Sequence, residues 1–388
     1  NGSKIRVYYL LKALAVRHEV TVLAFHPERD APAAPSDLEH VRVVPVPTDP
    51  FRFVRAPQWV RFASPIPLAY WPQRAMCRAV AALARERSYD AVVAVQPPTA
   101  RYVLALPGIP RVLEIDTALC TQLRERYARQ RGGLSGVRAW ASWRKAELYE
   151  RRHFRRFDAC TLVSPTEAAH VRRLLHGSAT ALEVIPNGVD CTRNTPAYAA
   201  TPHTLVYNGA LTYSANYDAM AWFLAEVYPL IVRAVPDVTL TITGSTRGVD
   251  LAGLALDPSV RLSGYVDDIR PVVDSASVCV VPLREGGGTR LKILEAMALG
   301  TPVVSTTKGA EGLALRAGEH MLLADTPAAF AEHTVRLLQR PEVGEQMAAR
   351  ARAHVEAHYD WTPIGQRFVD LVEQVVAARR ATPGAPHV

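Results

Sequence analysis

The sequence predicts an α/β protein of two Rossmann-like, doubly wound domains that face each other across a cleft. Three observations carry this: short apolar strand-like runs alternate with helical stretches, a turn-rich segment splits the alternation into two sets, and a glycine loop feeds a helix near residue 290. Buried parallel strands read as apolar runs separated by helices, which is the pattern seen here. A chain of 388 residues is too long for one ordinary core, and two domains are the natural division.

In the first set the pattern gives helix over 3–16, extended chain over 19–25 and 41–46, helix over 73–86 and a strand over 91–95. Then come a strand over 111–115, helix over 137–157, strand over 160–163 and helix over 167–175. Pro186-Asn187-Gly188-Val189-Asp190 through Pro202 is rich in turn formers, so a linker is expected over 187–202. The second set has strands over 204–207, 239–243, 260–262, 278–281 and 302–305, with helices over 217–234 and 289–299. The domains are therefore placed at 1–186 and 203–360, followed by a helix over 361–380, with a return to the first domain as one option, and a disordered tail over 381–388.

The start departs from this pattern. Asn1-Gly2-Ser3 already reads as the glycine turn that follows a first strand, with Ser3 as N-cap, so that strand is expected to be missing through truncation. An ordinary disordered start before a helix is the alternative.

Hydrophobic residues make up 49% and charged residues 21%, a globular composition. The longest apolar candidate for a membrane span, around Ala219 to Val235, is broken by Glu226, Pro229 and Arg233, and no signal peptide is visible. Cys77, Cys120, Cys160, Cys191 and Cys279 form no CxxC pair, so reduced thiols in the cytoplasm and no metal site are expected. Much of the net charge of +8 lies between Arg124 and Arg156, interleaved with Tyr127, Trp140, Trp143, Tyr149 and Phe154. That segment reads either as a solvated helix with its aromatics packed inward or as a peripheral contact with an anionic membrane at its inner face. A lipid-linked acceptor would suit the same chemistry, whereas no motif supports nucleic-acid binding.

The segment Gly286-Gly287-Gly288-Thr289-Arg290-Leu291-Lys292-Ile293-Leu294-Glu295 is the most informative. The amides of Gly287, Gly288 and Thr289 and the helix N-terminus converge at the carboxyl end of a strand, where a phosphate belongs. Arg290 and Lys292 bring two cations to the first helical turn, which the macrodipole disfavours unless an anion such as a diphosphate lies nearby. Glu295 lies three residues after Lys292, and its carboxylate can accept both hydroxyls of a ribose. Asp116, after the strand over 111–115, either orients or deprotonates an acceptor hydroxyl or caps the following helix.

This stretch, with the Gly300-Thr301-Pro302-Val303-Val304 after it, resembles the retaining family 4 glycosyltransferases of the GT-B fold, also called glycosyl transferases group 1. The resemblance extends over Gly2-Ser3, Phe157-Asp158, Ile185 to Asp190, Gly209-Ala210-Leu211 and Gly264-Tyr265-Val266. It implies a nucleoside diphosphate sugar held mainly by the second domain, a glycan or lipid-linked acceptor in the first, transfer with retention, and no metal or other cofactor. By matching position Glu295 would bind the ribose, the backbone from Gly264 to Val266 would meet the base, and Gly209 would lie on the donor-facing loop.

Two departures qualify the match. The family's second glutamate falls on Gly287, leaving Glu285 two residues upstream as either a sugar contact or loop surface. The Arg and Lys that many members carry after the first strand of the second domain are absent from Gly209 to Asp218, and Arg290 and Lys292 are positioned to replace their charge. Asn216, beyond that loop, either caps the following helix or touches the donor. An epimerase or hydrolase on the same fold and a non-catalytic nucleotide-sugar-binding protein remain the competing readings.

Overall fold

The computed structural model describes residues 2–26, 36–51, 53, 55, 57, 60, 63–130, 132–286 and 290–381. It divides into two compact units, Asn1–Pro186 with Gly365–Val388, and Asn187–Ile364. The 187–202 stretch expected to be a free linker thus belongs to the second unit.

The first unit runs α1 (Gly2–Ala15), β1 (Thr21–Phe25), β2 (Arg42–Val46), α2 (Arg74–Glu86), β3 (Val92–Val95), α3 (Ala100–Val103) and β4 (Arg111–Ile115). It continues through α4 (Leu119–Arg129), α5 (Gly133–Phe154), β5 (Ala159–Leu162), α6 (Pro165–Leu174) and β6 (Ala181–Val184). β1 and β2 pair in parallel, and β3, β4, β5 and β6 form a separate parallel sheet in that order. Every residue of β4 and β5 is buried, as strands covered on both faces must be.

One charged pair lies inside this unit. Arg6 of α1 and Glu114 of β4 are each 1% exposed, with Arg6 Nε 2.6 Å from Glu114 Oε1. Arg6 also donates to the Pro186 carbonyl at 3.0 Å. Burial pushes the Glu114 carboxyl up while the guanidinium pulls it back. Ser3 is no N-cap: it lies inside α1 and donates to Asp116 Oδ2 at 2.7 Å. Two side chains, three residues apart on one helix, therefore fasten α1 to the carboxyl end of β4.

Asp116 does not cap α4 either. The N-cap of α4 is Ala118, which has no capping oxygen in its side chain. The fully buried Glu150 of α5 replaces it, accepting from Leu119 N at 2.8 Å, from Cys120 N at 3.2 Å and from the Tyr70 hydroxyl. An anion at a helix N-terminus satisfies free amides and the dipole together. The Arg124 to Arg156 segment is accordingly two helices, α4 and α5, rather than one.

The second unit contains β7 (Thr201–Asn208), α7 (Ser214–Trp222), α8 (Tyr228–Ala234), β8 (Thr239–Thr243), β9 (Val260–Gly264), α9 (Arg270–Asp274) and β10 (Ala276–Val281). Then follow α10 (Leu291–Ala298), β11 (Val303–Ser305), β12 (Leu322–Leu323), α11 (Pro327–Gln339) and α12 (Pro341–Tyr359). The last helix, α13 (Trp361–Ala381), begins here, and its residues from Gly365 belong to the first unit. The single helix expected over 217–234 is interrupted by a π-helical turn at Phe223–Val227, because Pro229 in the first turn of α8 has no N–H to continue the ladder.

All six strands are parallel, in the order β12-β11-β10-β7-β8-β9. The chain winds outward from β7 through β8 to β9, then restarts at β10 on the other side. The winding direction reverses between β7 and β10, and the crevice outside the carboxyl ends at such a point is where open α/β sheets hold ligands. Among the described residues no helix is long and apolar enough to cross a membrane.

Replacing one member of the Arg6–Glu114 pair strands the other charge. Arg6→Met is expected to cost about 3–5 kcal/mol, read as a lowered urea midpoint. A loss below about 1 kcal/mol, the range of exposed pairs, would show that the pair contributes little.

Candidate functional site

β7 ends in Tyr207 and Asn208, and α10 follows β10, so the reversal point brings both segments to one crevice in the second unit. Asn208 Nδ2 donates to Glu295 Oε2 at 3.1 Å. Lys292 Nζ donates to the Tyr207 hydroxyl at 3.0 Å and to Asn216 Oδ1 at 3.2 Å, and lies 4.2 Å from the centre of the Tyr207 ring. Tyr207 donates in turn to Asn216 Oδ1 at 2.7 Å, and Asn216 Nδ2 donates to the Ala210 carbonyl at 2.8 Å. Lys292 and Glu295, three residues apart, share one half-buried face of α10, while Ile293, Leu294, Ala296, Met297 and Ala298 pack into the core.

The electrostatics follow from that placement. Burial pushes the Lys292 amine down to about 7, with Arg290 adding to the fall and Cys279 and Glu295 opposing it. Burial raises the Glu295 carboxyl, with Lys292 and the Asn208 amide pulling it back. The two groups are opposite charges on one helix face, each held by a neutral side chain of β7 and each shifted toward its neutral form by burial.

Glycines shape the walls. A Cβ at Gly209 would lie 2.6 Å from Lys292 Nζ and 3.0 Å from Asn216 Nδ2. Gly244, at the end of β8 with φ +101°, packs so closely that a Cβ would lie 2.6 Å from Ala210, and its N–H donates to the Gly264 carbonyl at 2.8 Å. Backbone from the ends of β7, β8 and β9 thus meets without side chains between. Val266 follows β9 in a half-buried loop position, beside Tyr265, which is 78% exposed.

Arg290 stands at the N-cap of α10 and is buried, with its NH2 donating to the Gly286 carbonyl at 2.8 Å. It also reaches the Glu285 carbonyl at 3.5 Å. Gly287, Gly288 and Thr289 lie outside the described residues. Asn216 is not a helix cap: α7 begins at Ser214, and the Asn216 side chain points to Lys292 instead. In the first unit Asp116 is held by Ser3, and Gly2 opens α1.

Tyr207, Asn208 and Gly244 were not singled out from sequence. Asn208 had a signal: it is the polar residue that ends an apolar strand just before a glycine. Tyr207 had none, since a strand tyrosine ordinarily reads as core.

A family model described as Glycosyl transferases group 1 matches residues 202–340, and one described as Glycosyl transferase 4-like domain matches residues 1–188. The chain is 31% identical over 209 residues to a phosphatidyl-myo-inositol mannosyltransferase of Mycobacterium tuberculosis, covering 50% of this chain and 54% of the relative. It thus spans about half the length of such curated relatives. Among solved structures, sucrose-phosphate synthase from Thermosynechococcus elongatus superposes with a TM-score of 0.73 at 19% identity, covering 97% of this chain and 94% of the other. Anabaena HepE in complex with UDP superposes with a TM-score of 0.62 at 15% identity, covering 96% of each chain. At these identities the structural matches show the fold.

The buried Lys292 amine makes stability depend on pH. Its folded value of about 7 lies below the unfolded one, which is about 10.4. Between those values the unfolded chain binds a proton that the folded chain lacks, so the contribution is present above the unfolded value and lost as pH falls toward 7. Relative to Lys292→Met, the wild type is expected to gain stability between pH 7 and 10 in urea titrations. A constant difference across that range would refute the buried-amine reading.

Proposed function

The chain belongs to the glycosyl transferases group 1, and from that premise we propose that it moves a sugar, with retention, from a nucleoside diphosphate sugar to a hydroxyl on a glycan or a lipid-linked acceptor. The observation that carries the reading is the pairing of Glu295 with Asn208 beside Lys292 pinned by Tyr207 and Asn216, at the reversal point of the second sheet. A carboxylate and a cation 1 helical turn apart match a ribose diol and the diphosphate attached to it.

In this reading Glu295 accepts the ribose hydroxyls, and the backbone from Gly264 to Val266 faces the base. Lys292, Arg290 and the amides of Gly287, Gly288 and Thr289 meet the diphosphate. As the bond from the anomeric carbon to the phosphate oxygen breaks, negative charge grows on the leaving group, and these donors stabilise it. An incoming diphosphate favours the protonated Lys292 amine. Gly209 keeps the wall open to the donor, Asn216 holds the amine in place, and Glu285 contacts the sugar. The two cations carry the neutralisation, and no metal or other cofactor is invoked. In the first unit Asp116, oriented by Ser3, takes the proton of the acceptor hydroxyl, with Gly2 at the same helix start.

The first unit also supports contact with an anionic membrane, on the cytoplasmic side. Leu134, Val137, Trp140 and Leu148 are 78, 57, 48 and 59% exposed along one side of α5. Arg138, Arg151 and Arg152, also exposed, flank them on the same helix. Apolar residues amid arginines on one helix face match the boundary between headgroups and acyl chains. Trp143 instead stacks on Tyr127 with ring centres 5.7 Å apart, and so fixes α5 against α4.

Glu295→Ala is expected to weaken binding of the cognate donor, found by screening UDP- and GDP-sugars, by at least about a hundredfold, from loss of charged hydrogen bonds worth roughly 1.5–3 kcal/mol each. Calorimetry showing unchanged donor affinity would remove the ribose assignment. Release of free nucleoside diphosphate only when acceptor is added separates a transferase from a hydrolase or a binding protein, and the anomeric configuration of the product tests retention.

Vesicles containing acidic phospholipid are expected to co-sediment with the protein at low salt. Binding should fade as salt shortens the screening length to about 8–10 Å, and Leu134→Ser with Trp140→Ser should lower it without changing donor affinity. A folded protein that ignores such vesicles at low salt would refute the membrane contact.

A further inference from the structure

A second set of charges lies in the first unit, at the opposite edge of its four-stranded sheet from Asp116. There, at the amino ends of β5 and β6, a cavity of about 520 Å³ is lined by Arg155, Arg156 and Arg379 with Asp158 as the one acid. Its apolar wall includes Phe157, Leu371 and Val375, all less than a tenth exposed.

Beside the lining residue Asp158 stands Arg111, the first residue of β4 and 2% exposed. Its NH2 is held by the Leu106 carbonyl, while its Nε and NH1 are buried and make no hydrogen bond. Among the described residues no carboxylate forms an ion pair with the Arg111 guanidinium; Asp158 Oδ2 accepts from its backbone N–H instead, at 2.8 Å. Burial pulls the Arg111 guanidinium down from its ordinary value, Asp158 opposes the fall, and Arg156 and Arg379 add to it. Three cavity arginines therefore face one carboxylate, and Arg111 beside that carboxylate is buried with two guanidinium nitrogens unbonded. Burying a charge in that way is costly unless an anion completes the site.

We propose that this cavity is an anion site that takes a phosphate group carried on an apolar chain. Guanidinium forks suit the phosphate oxygens, and the apolar wall suits a hydrocarbon tail. Arg155 and Arg156 are exposed at the end of α5, so the phosphate enters from solvent. The site needs no donor sugar and does not depend on the transfer reaction proposed above.

Calorimetry with inorganic phosphate and with dihexanoyl phosphatidic acid, kept below its micelle concentration, tests this on the full chain. The wild type should bind both, with the short-chain lipid at least about tenfold tighter because its tails cover apolar wall. Arg156→Gln with Arg379→Gln should weaken both by about tenfold or more through lost charge-assisted hydrogen bonds. If that pair fails to fold by circular dichroism, Arg155→Gln alone serves, since its side chain is exposed. Equal affinity for the two probes would overturn the apolar-chain part of the proposal and leave a site for free phosphate. Absence of binding by the wild type, or binding unchanged in a folded variant, would overturn the proposal.

Discussion

Parallel pairing is the constraint from which the rest of the molecule follows. Strands that all run one way release their chains along one edge, so loops and helix starts from distant parts of the sequence collect there. In the second unit the restart at β10 opens that edge between β7 and β10. Asn208 and Glu295, 87 residues apart in sequence, meet there through one hydrogen bond. In the first unit the same geometry brings Ser3 and Asp116 together at the end of β4.

The alternation of strands and helices was legible because short β-branched or apolar runs recur between turn formers and helical stretches. β4 at Arg111–Ile115 and β8 at Thr239–Thr243 occupy the segments that the pattern gives. The pattern fails where tertiary contacts decide. α4 has no capping residue of its own and depends on Glu150, while the π turn at Phe223–Val227 arises from a missing donor rather than from a change in periodicity.

Glu295, Lys292 and Arg290 were legible from the glycine loop and its helix. Asn216 was named from its place after the loop, but its contact with Lys292 was not legible, nor was Tyr207, because both act through side-chain contacts 76 and 85 residues from Lys292. Buried charged groups in the two units differ in how fully the protein itself satisfies them. Glu150 accepts from two backbone amides and a hydroxyl, so its burial is satisfied within the protein. Lys292 is bonded to a hydroxyl and an amide oxygen yet its amine is pulled down by burial, and Arg111 keeps two guanidinium nitrogens buried without a hydrogen bond.

The cap on α4 bears on the order of assembly. Leu119 and Cys120 precede the carboxylate that satisfies their amides by about thirty positions. A chain made from its amino end exposes α4 while its first turn still has nothing but water to bond. Short helices are marginal without tertiary support, so α4 becomes a persistent helix only once α5 has been made and packed. The two helices therefore consolidate as one unit, with the later element acting as the template for the earlier.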